Sequence, residues 1–334
     1  YWYVVEEQDF LIKKDNNSTQ ADVHIYNISY LDFCLSNYAE LDQSVCNVLI
    51  DSIDGYHTIS NSKQGFYFDL ILRSHYNKNI SYNNNVHPWA FGVSKRMVNE
   101  NDKWISSSVE YGVFVNYRVF YNSRYIAQNE MNPLLEKKFD ILNFVTDPLD
   151  GKVDKNLERE KNSYWWQTSF RHDPSYYKLL NSSQFTHCFG GGLILNSPIL
   201  NNKALDYESV RRVSRKIALA ANYFGIKKSK YFINYQFDSW RFWESMISNT
   251  VPLHMDFEDW GFVLPKMPRN GTHYIGVKGL NFKECSEFIL DLPAEKISKI
   301  SSEGRKWALD NYSSTGMAHQ FIKLISHPSY NVEE

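Results

Sequence analysis

Residues 230–256 read KYFINYQFDSWRFWESMISNTVPLHMD, and their pattern decides the fold class. Tyr231–Asn234 is a short apolar run of strand type, and a polar turn follows it. Ser239 to Ile247 has the spacing of a helix, and Val251–Met255 is a second apolar run. Strand, turn, helix and strand in so short a stretch is the signature of an α/β protein built on a parallel sheet.

The same alternation extends outward. Val45–Ile53 contains Val48-Leu49-Ile50 and ends at Asp54-Gly55, as a buried strand stopped by a turn does. Phe68–Leu72 is a second such run and leads into Arg73-Ser74-His75. Tyr111–Arg118 and Tyr274–Val277 read as further strands. Asp206–Phe224 is helical by period, with Val210, Val213, Ile217, Ala221 and Phe224 on one face and Gly225 as its C-terminal cap. A helix from Pro293 and a last amphipathic segment, Met317–Ile325, close the pattern. Two α/β lobes are expected, 1–105 and 106–330, with polar Asn99–Lys103 as the linker.

Composition excludes several classes. The 334 residues are 43% hydrophobic and 22% charged, which is ordinary for a globular chain, and a net charge of −2 gives no overall pull toward nucleic acid. No run of about 18 apolar residues is present, so no membrane span is expected. Tyr1–Val5 lacks the basic and apolar regions of a signal peptide, and a cytoplasmic location is the simpler expectation. The isolated Cys34, Cys46, Cys188 and Cys285 form neither a zinc motif nor a disulfide framework. Gly190-Gly191-Gly192 lacks the spacing of a dinucleotide site. Neither a phosphate-binding Gly-Lys-Ser/Thr loop nor a Gly-x-Ser-x-Gly elbow occurs. Asp147-Pro148-Leu149-Asp150 has the wrong spacing for an Asp-x-Asp metal site.

Candidate chemistry concentrates at Asp238–Glu244. A helix start offers free N–H groups to a diphosphate. Arg241 is placed to clamp phosphate oxygens, and Glu244, one turn on, to accept bonds from ribose hydroxyls. An ordinary ion pair between Arg241 and Glu244 explains the same spacing. Arg118 and Arg124 are further diphosphate candidates. The basic face of the 206–224 helix, with Arg211, Arg212, Arg215 and Lys216, is either solvated or meets an anionic membrane or acceptor. The 23 Tyr, 21 Phe and 9 Trp suit sugar faces and core packing alike.

The run Phe237–Met246, followed by Val251–Asp256, resembles the donor-binding lobe of exostosin-like and related GT-B glycosyltransferases. That pattern is Ser-x-Arg, then Glu-Ala, a small-residue turn and a Pro-Val/Ile strand. Here Ser245 stands in place of the Ala, and Ser248-Asn249-Thr250 replaces the usual turn. Gly261–Pro265 also fits. The resemblance is good over 230–280, fainter over 69–120 and 164–192, and absent from the first 60 residues.

The resemblance implies a GT-B-like α/β fold, two Rossmann-like lobes with an interlobe cleft. Residues 1–105 would face the acceptor, and 106–330 would hold a nucleotide-sugar. It implies transfer of a hexosyl or pentosyl group to a glycan or glycoconjugate, such as a surface polysaccharide. The reaction would be inverting and metal-independent, with no cofactor beyond the donor substrate. The implied donor set is Ser239, Arg241, Glu244, Arg118, Arg124 and His254. Inversion needs a base on the N-terminal lobe. His75 and Asp54, each just past a strand, are the candidates, ahead of Asp69 and His87. A retaining reaction would need no base. A non-catalytic carbohydrate-binding protein on a decayed transferase fold is the alternative. A glycoside hydrolase would need a facing carboxylate pair, and none stands out.

Overall fold

The computed structural model describes residues 22–27, 41–42, 44–53, 60, 63–105, 108–117, 122–143, 176–196, 213, 216–217, 220–226 and 228–326. Two parallel sheets organise them. The first has the order β1 (Val23–Asn27), β2 (Cys46–Asp51), β3 (Leu70–Arg73), β4 (Val86–Pro88). The second comprises β5 (Tyr111–Val115), β6 (Ile141–Asn143), β7 (Ser183–His187), β10 (Val251–Met255) and β11 (Ile275–Val277), in the order β11-β10-β7-β5-β6. All its pairings are parallel. Strands such as Val48-Leu49 and Val113-Phe114-Val115 are completely buried, because both faces of a parallel sheet are covered.

The second sheet is wound outward from β5. The chain goes to β6 on one side, then crosses back to β7 on the other and continues to β10 and β11. Between β7 and β10 it forms a separate antiparallel ribbon, β8 (Leu193–Leu195) with β9 (Phe232–Asn234). The strand expected at Tyr231–Asn234 is therefore real but belongs to this ribbon, not to the parallel sheet.

Helices form where the sequence caps them. Helix α1 (Lys95–Asp102) begins at Ser94, whose hydroxyl accepts from Met97 N–H at 3.2 Å. Most of Asn99–Lys103, read as a linker, is therefore helical, and it lies in the connection between the two sheets. Asn101 is fully buried, donates to Ile247 O at 2.8 Å and accepts from Asn181 and Ser248. Polarity here marks an internal hydrogen-bond network. Helix α2 (Asn122–Ile126) runs through a π-turn at Ala127–Met131 into α3 (Asn132–Leu135), and α4 (Tyr176–Asn181) leads into β7. Helix α5 (Trp240–Met246) leads into β10 and α6 (Phe257–Trp260) follows it. After β11 come α7 (Phe282–Leu290), α8 (Ala294–Tyr312) and α9 (Ser314–Ser326). Helix α8 buries Ile297, Ile300, Gly304 and Ala308, while Trp307, read from the sequence on the same face, is partly buried.

The carboxyl ends of the two sheets meet. Beyond β3, the Asn77 amide donates to Asn234 O and Trp260 O, each at 3.1 Å, and Lys78 N–H donates to Gly261 O. Beyond β4, Phe91 N–H donates to Asp238 Oδ2 at 2.7 Å. Helix α9 returns to the first lobe, where Phe321 packs edge-on against Trp89. One apolar cluster runs from Val48 and Leu72 through Trp89 to Trp243 and Leu253.

Candidate functional site

In a doubly wound sheet, the crevice forms outside the carboxyl ends of the two strands from which the chain winds in opposite directions. Here those strands are β5 and β7, and the residues just past them are polar. Asn116 follows β5 and is buried, with its Nδ2 lacking any partner among the described residues. His187 ends β7 with no exposed surface, and its Nε2 is likewise unpartnered. Its Nδ1 lies 3.0 Å from the Tyr117 hydroxyl. If that hydroxyl donates, Nε2 carries the ring proton and is an unused donor. Burial holds His187 at a pKa of about 3, so the ring is neutral.

Two arginines approach this group. The Arg124 guanidinium lies 5.1 Å above the Tyr117 ring, and its Nε donates to Phe189 O at 2.8 Å. Arg241, on the first turn of α5, is buried at Nε with no partner for that atom. Burial raises the Tyr117 pKa, while Arg124 and Arg241 act in the opposite direction, as cations near its hydroxyl do. Tyr117 thus joins the ends of β5 and β7, lies under Arg124 and stands within the field of Arg241. The structure brings Arg124 and Arg241 to one place, and adds Asn116, Tyr117 and His187. Sequence reasoning missed these three. The signal available was Ser183–His187 as a strand running into Cys188-Phe189-Gly190, ahead of a turn.

That glycine turn serves packing. A Cβ on Gly191, whose φ is +82°, would sit 1.8 Å from Asn234 Oδ1, and one on Gly192 would sit 2.3 Å from the Tyr235 hydroxyl. The close approach is to the β9 segment. Ser123 bonds the carbonyls of Gly190 and Gly191 from the other side.

The remaining expected residues are occupied or lie elsewhere. Ser239 caps α5, accepting from Phe242 N–H at 3.4 Å. Glu244 is 3% exposed, and its oxygens accept the hydroxyls of Tyr176 and Tyr177, each at 3.1 Å. The alternative ion pair with Arg241 is not formed. His254 requires a correction. It has no exposed surface, and its two ring nitrogens face Met255 O at 2.8 Å and Phe237 O at 3.1 Å, leaving neither for a donor.

His75 also lies at the lobe junction, between the rings of Phe91 and Phe237. Its Nδ1 accepts from Asp238 N–H at 3.2 Å, so in the neutral ring Nε2 holds the proton. As placed, His75 can act as a base only by releasing this bond. Asp69 accepts from Asn47 N–H, and His87 lies within β4. Asp54 and Arg118 lie outside the described residues, as do 164–172.

A groove of about 880 Å³ lies past the edge strand β11, between Met267, Arg269, Lys278 and Phe288. None of its lining side chains has a buried polar atom left unpartnered, unlike the group beside β5 and β7. Among the described residues, no group of three His, Cys, Asp or Glu is placed to hold a metal ion.

No protein-family model matches this chain, and no curated protein matches it in sequence. Solved structures do resemble it in chain path. One is a mutant of TarM from S. aureus, at 9% identity and a TM-score of 0.47, covering 90% of this chain and 55% of TarM. The chain thus spans about half the length of TarM. HepE from Anabaena, in complex with UDP-glucose, gives 8% identity and 0.46, with 91% and 78% covered. An alpha-glucosyltransferase in complex with UDP and DNA gives 10% identity and 0.48, with 91% and 80% covered. The fold itself is α/β, with two lobes each built on a parallel sheet.

Proposed function

We propose that this protein is a glycosyltransferase that binds a nucleotide-sugar at the carboxyl ends of β5 and β7. One observation carries the reading. Three buried polar groups, Asn116 Nδ2, His187 Nε2 and Arg241 Nε, stand unpartnered at the point where the winding of the sheet reverses. A buried polar group without a partner costs roughly 1–3 kcal/mol. A ligand rich in acceptor oxygens removes that cost, and a diphosphate is such a ligand. The match of Ser239-x-Arg241-x-x-Glu244 to a donor-binding pattern supports the same choice.

The chemistry follows from charge. An acceptor hydroxyl forms a bond to the anomeric carbon as the bond to the diphosphate oxygen breaks. The leaving diphosphate gains negative charge, which Arg241 and Arg124 hold in place. Glu244 either reaches the ribose by releasing a tyrosine hydroxyl or orients the wall formed by Tyr176 and Tyr177. In the inverting form the acceptor proton goes to His75, which must first release its bond from Asp238 N–H. Base action and loosening of the lobe junction are then one event. The acceptor is a glycan or glycoconjugate on the first-lobe side.

Calorimetry with UDP, GDP, CMP and dTDP tests the donor site directly. One nucleotide should bind, and Arg241→Met should weaken it about ten- to a hundred-fold while the fold survives. Binding of free sugars with no nucleotide bound would favour the non-catalytic alternative. His75→Ala should lower turnover and leave nucleotide affinity nearly unchanged. The anomeric configuration of the product, read by NMR, separates inversion from retention.

A further inference from the structure

The segment between β8 and β9 carries a feature that the donor site does not use. Residues 209–231 contain Arg211, Arg212, Arg215, Lys216, Lys227, Lys228 and Lys230, with no Asp or Glu. In a chain of net charge −2 that is a strong local excess. The described residues 213, 216–217 and 220–223 are helical. Exposed large apolar side chains concentrate here as well. Val213, Ile217, Tyr223, Phe224, Ile226 and Tyr231 are all exposed, Tyr223 at 84% and Phe224 at 76%.

The geometry holds these side chains outward. Gly225, at φ +76°, ends the helix, Ile226 N–H bonds to Ala221 O and Gly225 N–H bonds to Asn222 O. This pair of bonds locks the turn. Beneath it, Ala221 is buried and the Asn222 amide bonds to Glu130. The turn is anchored on its inner side and presents Tyr223, Phe224 and Ile226 on the other. Lys228 and Lys230 are exposed just beyond.

We infer that this turn docks the protein on an anionic lipid surface, with the aromatic tip in the interfacial layer and the lysines on the headgroups. Aromatic rings favour the lipid–water interface, and each basic side chain near an anionic leaflet adds attraction that salt weakens. A protein partner would meet the same apolar tip, but the absence of any acidic side chain across the stretch favours a uniformly anionic plane. This inference is independent of the donor-site reading.

Co-sedimentation of the full chain with vesicles tests it. Binding is expected to vesicles of phosphatidylcholine with phosphatidylglycerol, not to phosphatidylcholine alone, and to fall as salt rises. Tyr223→Ser with Phe224→Ser, and separately Lys228→Glu with Lys230→Glu, should each reduce partition roughly ten-fold or more. Circular dichroism and nucleotide affinity should stay unchanged in both. Absence of binding to anionic vesicles at low salt overturns the inference. So does loss in the lysine variant alone, which marks a general polyanion site. Self-association in solution that the aromatic variant abolishes, without vesicle binding, assigns the turn to a second copy instead.

Discussion

The two lobes end their sheets in opposite ways. Past β2 and β3, the Asp51 carboxylate accepts from Arg73 Nη1 at 2.9 Å, and the Ser60 hydroxyl bonds its other oxygen. Arg73 Nη1 also donates to Ile53 O at 2.8 Å. The pair is at most 2% exposed, so these charges are consumed in holding the lobe together. Past β5 and β7, Asn116 Nδ2, His187 Nε2 and Arg241 Nε are buried yet have no partner among the described residues. Burial alone does not mark a binding site. Several unmet groups converging on one point do so better: past β3 a single one among the described residues, Ser74 Oγ, is left, whereas three fall together past β5 and β7.

The largest effect should come from breaking the closed end. Asp51→Ala removes the carboxylate that faces the Arg73 charge inside the first lobe, which should cost about 3–5 kcal/mol. Asp51→Leu combined with Arg73→Met should recover most of that loss. Arg241→Met, which removes an unpartnered nitrogen and keeps the apolar stem, should leave stability unchanged or raise it slightly. Urea unfolding of the four proteins checks this. Equal losses for Asp51→Ala and Arg241→Met would erase the contrast between the lobes.

Glu244 sharpens the comparison, since it is closed off inside the otherwise open lobe. Glu244→Ala removes the acceptor of two tyrosine hydroxyls and should cost stability, about 1.5–3 kcal/mol for each bond lost to the charged group. If Glu244 also meets the donor, Glu244→Gln will keep hydrogen-bonding capacity and most of the stability while nucleotide affinity falls roughly ten-fold or more. A Glu244→Gln protein with full affinity would make this carboxylate a purely structural group.

The pH dependence isolates His187. Its pKa is about 3 in the folded state, against about 6.5 unfolded. Between those values the unfolded chain binds the extra proton, so stability is full above about pH 6.5 and declines as pH falls toward 3. Each unit in that window costs about 1.4 kcal/mol from this ring. From pH 6.5 to 5 the loss should be about 2 kcal/mol. In His187→Phe the slope of stability against pH should drop by about one proton, whatever the variant's stability at pH 7. His254, also lowered chiefly by burial, remains as the internal reference. An unchanged slope would mean that the ring is solvated in the native protein.

Much of this architecture was legible where apolar runs are dense. The strands at 46–51, 70–73, 111–115 and 251–255 and the Ser239-capped helix all follow from periodicity and capping. Two kinds of feature escaped. β7, Ser183–His187, has Phe185 as its one large apolar residue, so its place in the middle of the sheet depends on pairing with β5 and β10, contacts distant in sequence. Through it His187 escaped too. The helical, packed state of the polar run Asn99–Lys103 escaped for the converse reason, because Asn101 finds its partners in Ile247, Asn181 and Ser248, which the local pattern cannot show. Of the site, Arg241 and Arg124 were readable because positive charge after a strand is a local signal. The unmet nitrogens became visible only once the sheet was assembled.

The smallest expected effect is that of chelation, and it asks how the open end manages charge. If arginines neutralise the departing diphosphate, EDTA should change nucleotide affinity and turnover by less than about two-fold, since Arg–phosphate bonds need no bridging ion. Arg241→Met makes the test discriminating. Removing the guanidinium should slow turnover, and free guanidinium ion should restore part of it by occupying the space left beside Tyr117. Magnesium or manganese should restore none, because His187 Nε2 and Asn116 Nδ2 do not form the oxygen-rich cage that a hard cation requires. Loss of wild-type turnover on chelation, recovered with Mn²⁺, would mean that a cation carries the charge here. The unpartnered nitrogens would then be contacts to the sugar or base, and Arg241 would lose its place as the group that holds the leaving diphosphate.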